Sequence, residues 1–357
     1  MNIIQIIQKK QLRGAETFAL QLSRALVKRG HKVKIVVLQE GEVELDFSDV
    51  EVLHINAKSL FDLKSFKKLA TIIRNFKPDW VQANAGDTMR YAVLSRLIYG
   101  WKSPVFFRNA SVVSQYIKNP IKKLYYSFLL KRIDKIISVS EVSMQDYIQM
   151  FPFVKNKIQV MPIGIETEEL DKEMLSRGFV DSFSRKEGYI LHVGGFTFEK
   201  NHEGLLRIFQ LVLKNKPNAQ LLLAGDGPLF ATIQEKVKTL SLESNVHLLG
   251  RRTDVAALMK NATIVVLPSI IEGLPGVLLE AMYCRVPVIA NNVGAIPHLL
   301  ADKRGVVVEK GDVEAFANAI LQQIDQPASE ARLEEIRGYV KWKYSMENVV
   351  ECFEKVF

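Results

Sequence analysis

Cysteine is scarce in this 357-residue sequence. Its two, Cys284 and Cys352, form neither a disulfide framework nor the paired spacing of a metal site. No run of about 18 apolar residues occurs, so no segment reads as a membrane span. The start, MNIIQIIQKK, has too short an apolar run for a signal peptide, and its positive charge follows that run instead of preceding it. The expectation is a cytoplasmic protein, with association at the inner face of a membrane left open. G-x-G-x-x-G is absent, which argues against a dinucleotide cofactor. Acids are few in the first half: residues 1–165 hold 26 Lys and Arg against 13 Asp and Glu, a balance of +13, and the remainder holds 48 − 26 = 22 against 39 − 13 = 26, a balance of −4. Such asymmetry suggests that the first half faces something anionic. The basic residues form no nucleic-acid reading element, which leaves acidic lipid or a merely basic surface.

What is present centres on residues 263–291, TIVVLPSIIEGLPGVLLEAMYCRVPVIAN. Thr263 to Leu267 is an apolar run of the kind that fills a buried parallel strand, and Pro268 stops it. Ser269 to Gly276 is loop, and Pro275 sits where a helix would start. A helix through Val277, Leu278 and Ala281 and a strand from Val286 to Ala290 follow. The loop therefore delivers a helix N-terminus to the carboxyl end of a strand, where free N–H groups and the helix dipole favour an anion. Glu272 lies in the loop and Glu280 in the second helical turn. A diphosphate on the helix start would lie between two carboxylates able to accept hydroxyl hydrogen bonds on either side. The plainer reading is a helix start with solvated acids.

The string SIIEGLPGVLLEAM resembles E-G-x-P-x-x-x-x-E-A, the signature of the retaining glycosyltransferase family four (glycosyl transferase group 1). The resemblance extends over nearly all of the chain and is strongest over residues 189–313. It implies an α/β chain of GT-B fold, two Rossmann-like domains with parallel sheets facing a central cleft, and a nucleotide-diphospho-sugar as donor. The expected domains are residues 1–165, binding acceptor, and 166–335, binding donor, with a helix at 336–357 crossing back to the first.

In order along the chain, Asn2 to Gln8 reads as a strand, Gly14 opens a helix to Lys28, and Gly30 ends it. The family has G-G-A-E there, its glycine backbone approaching donor phosphate or acceptor; this chain has Arg13-Gly14-Ala15-Glu16, with Arg13 a candidate contact for an anionic acceptor. Glu40 to Asp46 reads as a solvated loop or edge strand in preference to a metal cluster, since no histidine is tied to it by spacing. Asn84, Arg108 and Asn109, at two strand ends where relatives carry histidines, are cleft candidates. Residues 118–137 place Ile121, Leu124, Tyr125, Phe128 and Ile136 at helical spacing among Lys118, Lys122, Lys123, Lys131, Arg132 and Lys135. This is either a core helix with lysines outward or a basic amphipathic helix on an anionic membrane.

Residues 157–165 resemble the family's crossing into its second domain. Gly194 and Gly195 follow the strand Tyr189 to Val193, and Lys200-Asn201-His202 precede a helix from Glu203, in outline a phosphate cradle. The family's motif is G-R-x-x-x-x-K, with both cations on the diphosphate; Lys200 is kept, but Gly195 stands at the arginine position. Arg251 or Arg252, or the helix start at Gly276, is expected to compensate. His202 reads as helix-start structure. Gly225-Asp226-Gly227-Pro228 resembles the family's G-D-G-P, which admits the nucleotide, although a tight turn alone uses the same residues. A final helix is expected from Leu333 to Val356.

The implied activity is retaining transfer of a sugar to a hydroxyl on a carbohydrate or lipid-linked acceptor, as in polysaccharide, lipopolysaccharide or glycolipid assembly. The donor is UDP- or GDP-sugar ahead of ADP-sugar. Lys200 and the backbone at Gly273, Leu274, Pro275, Gly276 and Val277 would hold the diphosphate, Glu280 the ribose and Glu272 the sugar. No cofactor and no metal are expected: D-x-D, which holds a metal in the other main transferase fold, is absent. The alternatives are a GT-B sugar-nucleotide epimerase or phosphorylase, and a non-catalytic sugar-nucleotide or membrane-binding module.

Overall fold

The computed structural model describes residues 1–11, 14–41, 47–59, 61–176 and 188–356. Arg13 and most of the acidic Glu40 to Asp46 stretch lie outside the described residues. The chain forms two compact units, residues 1–164 with 346–357, and residues 165–345.

The first unit runs β1 (Asn2–Ile7), α1 (Gly14–Lys28), β2 (Lys32–Val37), β3 (Glu51–His54), α2 (Leu63–Phe76), β4 (Trp80–Ala83), α3 (Gly86–Tyr99), β5 (Val105–Asn109), α4 (Pro120–Leu130), β6 (Lys135–Ser138), α5 (Glu141–Met150) and β7 (Ile158–Val160). Its seven strands are parallel in the order β3-β2-β1-β4-β5-β6-β7. Helices cover both faces, so β1 is apolar on both: Ile4 and Ile6 join the core under α2 and α3, while Ile3 and Ile7 join the core under α1. Asp62 caps α2 through the Lys64 and Ser65 amides, and Gly100, at φ 67°, closes α3.

The second unit begins with α6 (Thr167–Glu173) and continues β8 (Ile190–Val193), α7 (His202–Asn215), β9 (Leu221–Ala224), α8 (Phe230–Thr239), β10 (Val246–Gly250), α9 (Val255–Asn261), β11 (Ile264–Leu267), α10 (Gly276–Tyr283), β12 (Val288–Asn291), α11 (Ile296–Leu299), β13 (Val306–Val308), α12 (Val313–Asp325) and α13 (Glu330–Tyr344). Its sheet is parallel in the order β10-β9-β8-β11-β12-β13. Strand order reverses between β8 and β11, and the loops leaving those two strands carry Lys200 and Glu272. Ligands of open parallel sheets bind at this kind of switch point, beyond the carboxyl ends of the strands.

Two expectations are corrected. The helix expected from Leu333 to Val356 is two helices, α13 and α14 (Met346–Glu354), separated by Ser345. Ser345 is extended, at φ −62° and ψ 147°, and bridges in parallel to Ile165, so the chain's two passages between units run side by side. Helix α14 then packs Met346, Val349, Val350 and Phe353 into the core beneath α1. The second correction concerns residues 118–137. Only 120–130 are helical, and Ile121 and Leu124 face solvent at 76% and 73% exposure. The buried side of α4 is made by Leu129 and Leu130, with Tyr125 and Tyr126 packed partly behind them.

Candidate active site

The residues after β8 and β11 are fastened to each other before any ligand is considered. The Ile270 amide donates to the Glu199 carbonyl at 2.8 Å. Asn201, in the left-handed region at φ 56°, caps α7 by accepting from the Gly204 amide, and its own amide donates to Pro268 O at 3.0 Å. Asn291, at the end of β12, donates to Pro268 O and Ser269 O from the other side. Nothing in the sequence singled out Asn291. Its role depends on β12 lying beside β11, which only the fold supplies.

On this frame Lys200 Nζ meets Glu272 Oε1 at 2.6 Å, with both side chains largely buried. The stem of Lys200 lies against Gly194, where a Cβ would stand 3.3 Å from Lys200 Cδ. Glu272 is held from behind by the turn before α11. Gly294 has φ 56°, a Cβ there would run into the Glu272 carbonyl, and the Ala295 amide donates to Gly273 O at 2.9 Å. Pro275 is the residue before α10, one position outside the helical start expected for it, and no side chain caps the helix. The first α10 amides are therefore unclaimed by a capping side chain, and the loop that leads into them carries Glu272, the partner of Lys200.

Glu280 lies in α10, part-exposed. Its carboxyl is pushed up to about 7, first by desolvation and then by the Glu173 carboxylate. Glu173 itself accepts from the Ala256 amide at 2.6 Å at the start of α9, and burial raises it above the ordinary carboxylate range. Glu173 was not recognised in the sequence; α6 alone brings it there. The same helix contributes Asp171, which accepts from Tyr283 Oη at 2.9 Å and from Arg337 at 2.7 Å, tying α10 to α13.

The two glycine turns are explained by close approach. A Cβ on Gly225 would run into the Gly194 carbonyl, and one on Gly227 would stand 2.8 Å from the backbone of Phe196. Gly195 is different: a Cβ there would meet nothing nearer than Asp226 O at 3.6 Å. Of the two arginines expected to compensate for it, Arg252 is engaged by Asp254 through two hydrogen bonds, at 2.8 and 2.5 Å. Arg251 is half exposed and 3.4 Å from the Asp226 carboxylate, whose backbone carbonyl neighbours Gly195. His202 is buried, stacked on Phe196 at 4.0 Å and edge-on to His192 at 4.7 Å. Burial lowers His192 to about 4 and His202 to about 2, so both rings are neutral and serve packing.

In the first unit the cleft candidates are not open side chains. Asn84 is buried, donating to Gln5 Oε1 at 2.9 Å and accepting from Gln82 at 2.8 Å. Asn109 is buried between the Ser138 hydroxyl and the Ser111 amide. Arg108 lies over the Phe18 ring at 4.1 Å, and burial lowers it to about 9 against the opposing pull of Glu16. Arg108 and Asn109 are neighbours in β5 and point to opposite faces, and both faces of this sheet are covered, so a strand-end position alone did not reveal their burial. Gly14 opens α1, and among the described residues none packs against the place of its missing Cβ, so packing there does not demand glycine.

The family model of glycosyl transferases group 1 matches residues 179–337, and that of glycosyltransferase family 4 matches residues 12–169. The chain belongs to this glycosyltransferase family. It is 30% identical to an uncharacterised glycosyltransferase of Methanocaldococcus jannaschii over 64% of this chain and 59% of that protein. It is 23% identical to the UDP-Gal:alpha-D-GlcNAc-diphosphoundecaprenol alpha-1,3-galactosyltransferase of Escherichia coli, over 88% of this chain and 85% of that protein. The crystal structure of Anabaena HepE in complex with UDP and glucose superimposes with a TM-score of 0.85 at 16% identity, covering 100% of this chain and 99% of that one. The fold is accordingly GT-B, built from two parallel-sheet Rossmann-like domains.

Proposed function

We propose that this glycosyltransferase moves a sugar from a nucleotide-diphospho-sugar to a hydroxyl acceptor with retention of anomeric configuration and without a metal. The observation that carries the reading is the Lys200–Glu272 pair at the switch point of the second sheet, with Glu272 in the loop that leads into the uncapped start of α10. In this reading the Lys200 ammonium and the amides at Gly276 and Val277 neutralise the charge that gathers on the departing diphosphate. Glu272 then grips the sugar hydroxyls and Glu280 the ribose. Gly194, Gly195, Asn201, Gly225, Gly227, Gly273, Leu274 and Pro275 shape the backbone around them, and Arg251 supplies the cation that Gly195 lacks. Catalysis is mostly positioning and electrostatic stabilisation of an oxocarbenium-like sugar.

UDP-sugar is the first donor to test, since UDP occupies the HepE structure. The acceptor is a carbohydrate or a lipid-linked sugar, the latter in line with the Escherichia coli relative's diphosphoundecaprenol acceptor, and the enzyme then works at the inner face of a membrane. A melting-temperature panel of UDP-, GDP- and ADP-sugars tests the donor, because a ligand that binds only the native state raises the melting point. Product analysis separates transfer from epimerase or phosphorylase action. A chain that binds UDP-sugar but transfers nothing would instead be a sugar-nucleotide-binding module, the reading favoured by the missing cation at Gly195.

A further inference from the structure

Helix α4 carries its apolar residues on the wrong side for a core helix. Ile121, Leu124 and Phe128, at i, i+3 and i+7, share one face and are 76%, 73% and 39% exposed. The orientation is fixed at both ends. Asn119 caps the helix by accepting from the Ile121 amide at 2.8 Å, Pro120 occupies the first turn, and Leu129 and Leu130 are buried in the core. Tyr125 and Tyr126 face inward, with the Tyr126 hydroxyl against Gly86 at the start of α3.

The surroundings of the stripe are basic. Residues 110–133 hold five Lys and Arg and no Asp or Glu. Lys118, Lys122, Lys123 and Lys131 are exposed around the stripe, and the Arg132 guanidinium rests on the Phe128 ring at 3.8 Å. The apolar surface is continued by Phe153, 42% exposed, with Lys131 over its ring at 5.8 Å. Aliphatic side chains flanked by lysines are what a helix lying in the headgroup region of an anionic bilayer requires. A second copy of the chain is a poorer occupant, because a two-fold contact through α4 would set Lys122 and Lys123 against their own equivalents.

We propose that the outer face of α4 seats the first unit on an anionic lipid bilayer, and that the acceptor is an amphiphile held in that bilayer. The lipid contact stands on α4 alone; the acceptor class rests on the glycosyltransferase reading above. The lysines supply long-range attraction and the stripe supplies insertion, so the two halves fail separately when altered.

The test is flotation with vesicles of phosphatidylcholine alone and with phosphatidylglycerol added, for the full chain and two double variants. The unaltered chain floats with the mixed vesicles and not with phosphatidylcholine alone. Lys122→Gln with Lys123→Gln lowers partitioning by about thirtyfold. Ile121→Ser with Leu124→Ser abolishes flotation, while the melting temperature and its rise with UDP stay unchanged in both variants. With labelled UDP-sugar and extracted membranes, label enters the organic phase and falls with either variant. Equal flotation on both vesicle types, none on either, or retention by the serine variant overturns the lipid contact. So does a dimer in solution that the serine variant converts to monomer. Flotation without any UDP response or transfer overturns the enzymatic reading and leaves the lipid contact standing.

Discussion

Lys200 and Glu272, 72 positions apart, form a 2.6 Å ion pair that closes the gap between the loops after β8 and β11. Each satisfies the other's charge, so an arriving diphosphate and sugar compete with an internal partner for both. Glu272→Gln removes that competition for Lys200 while keeping the side-chain shape. The expected result is UDP affinity that is unchanged or tighter, with the transfer rate lowered on the order of 10²–10³-fold, the usual range for losing one stabilising contact to the reacting sugar. Titration calorimetry with UDP and initial rates with UDP-sugar check both halves. Equal loss of UDP binding and rate would place Glu272 on the nucleotide instead.

Lys200→Ala has a different signature. It removes the ammonium at the proposed diphosphate seat and leaves the Glu272 carboxylate without that partner. UDP affinity and transfer rate are both expected to drop, the rate by about 10²-fold or more. Lys200→Arg restores little, because the lysine stem is packed against Gly194 and a planar guanidinium cannot follow the same path to Glu272. Binding by calorimetry and rate by product formation check this together.

Glu280 gives the pH dependence its direction. Desolvation and Glu173 raise its folded carboxyl from 4.5 to about 7. Between those values the folded chain keeps a proton that the unfolded chain has released, so this group's contribution to stability falls as pH rises through the window. Donor binding runs the opposite way, since the ionised carboxylate is the better acceptor for ribose hydroxyls. UDP affinity is therefore expected to rise as pH passes through about 7, and Glu280→Gln to flatten that rise. Glu173→Gln removes the like charge and moves the transition to lower pH. Calorimetric titrations with UDP across that range provide the check; a wild-type profile without a transition would sink the assignment.

Much of this site was legible because its chemistry is local. The strand, Gly-Pro loop and helix around Glu272 sit in one continuous stretch, and the glycines at 225 and 227 reflect a backbone approach that no larger residue permits. What escaped notice depends on neighbours distant in sequence. Asn291 supports Pro268 only because β12 lies beside β11, and Glu173 reaches Glu280 only because α6 docks on α9. Helical spacing at Ile121, Leu124 and Phe128 identified a face without saying which way it points, since period alone is the same for a stripe turned in or out. Ser345 has no breaker's character; the break there comes from its bridge to Ile165.

The glycine at 195 offers the sharpest test of the diphosphate seat. The family motif has an arginine where this chain has none, yet the backbone there admits a side chain. A Cβ on Gly195 would meet nothing nearer than 3.6 Å, an ordinary contact, and its backbone is not in the left-handed region. Gly195→Arg is therefore expected to fold with an unchanged melting temperature. If the diphosphate sits beside Lys200, the added guanidinium provides a charge-assisted contact, and UDP affinity rises about tenfold. Arg251 should then become dispensable: Arg251→Ala weakens UDP binding in the natural chain and barely matters in the Gly195→Arg background, a coupling that a double-mutant cycle measures directly. Gly225→Ala is the structural control. Its Cβ runs into the Gly194 carbonyl, so it should cost about 1–3 kcal/mol of stability. A well-folded Gly195→Arg variant with unaltered UDP affinity would move the diphosphate away from this turn.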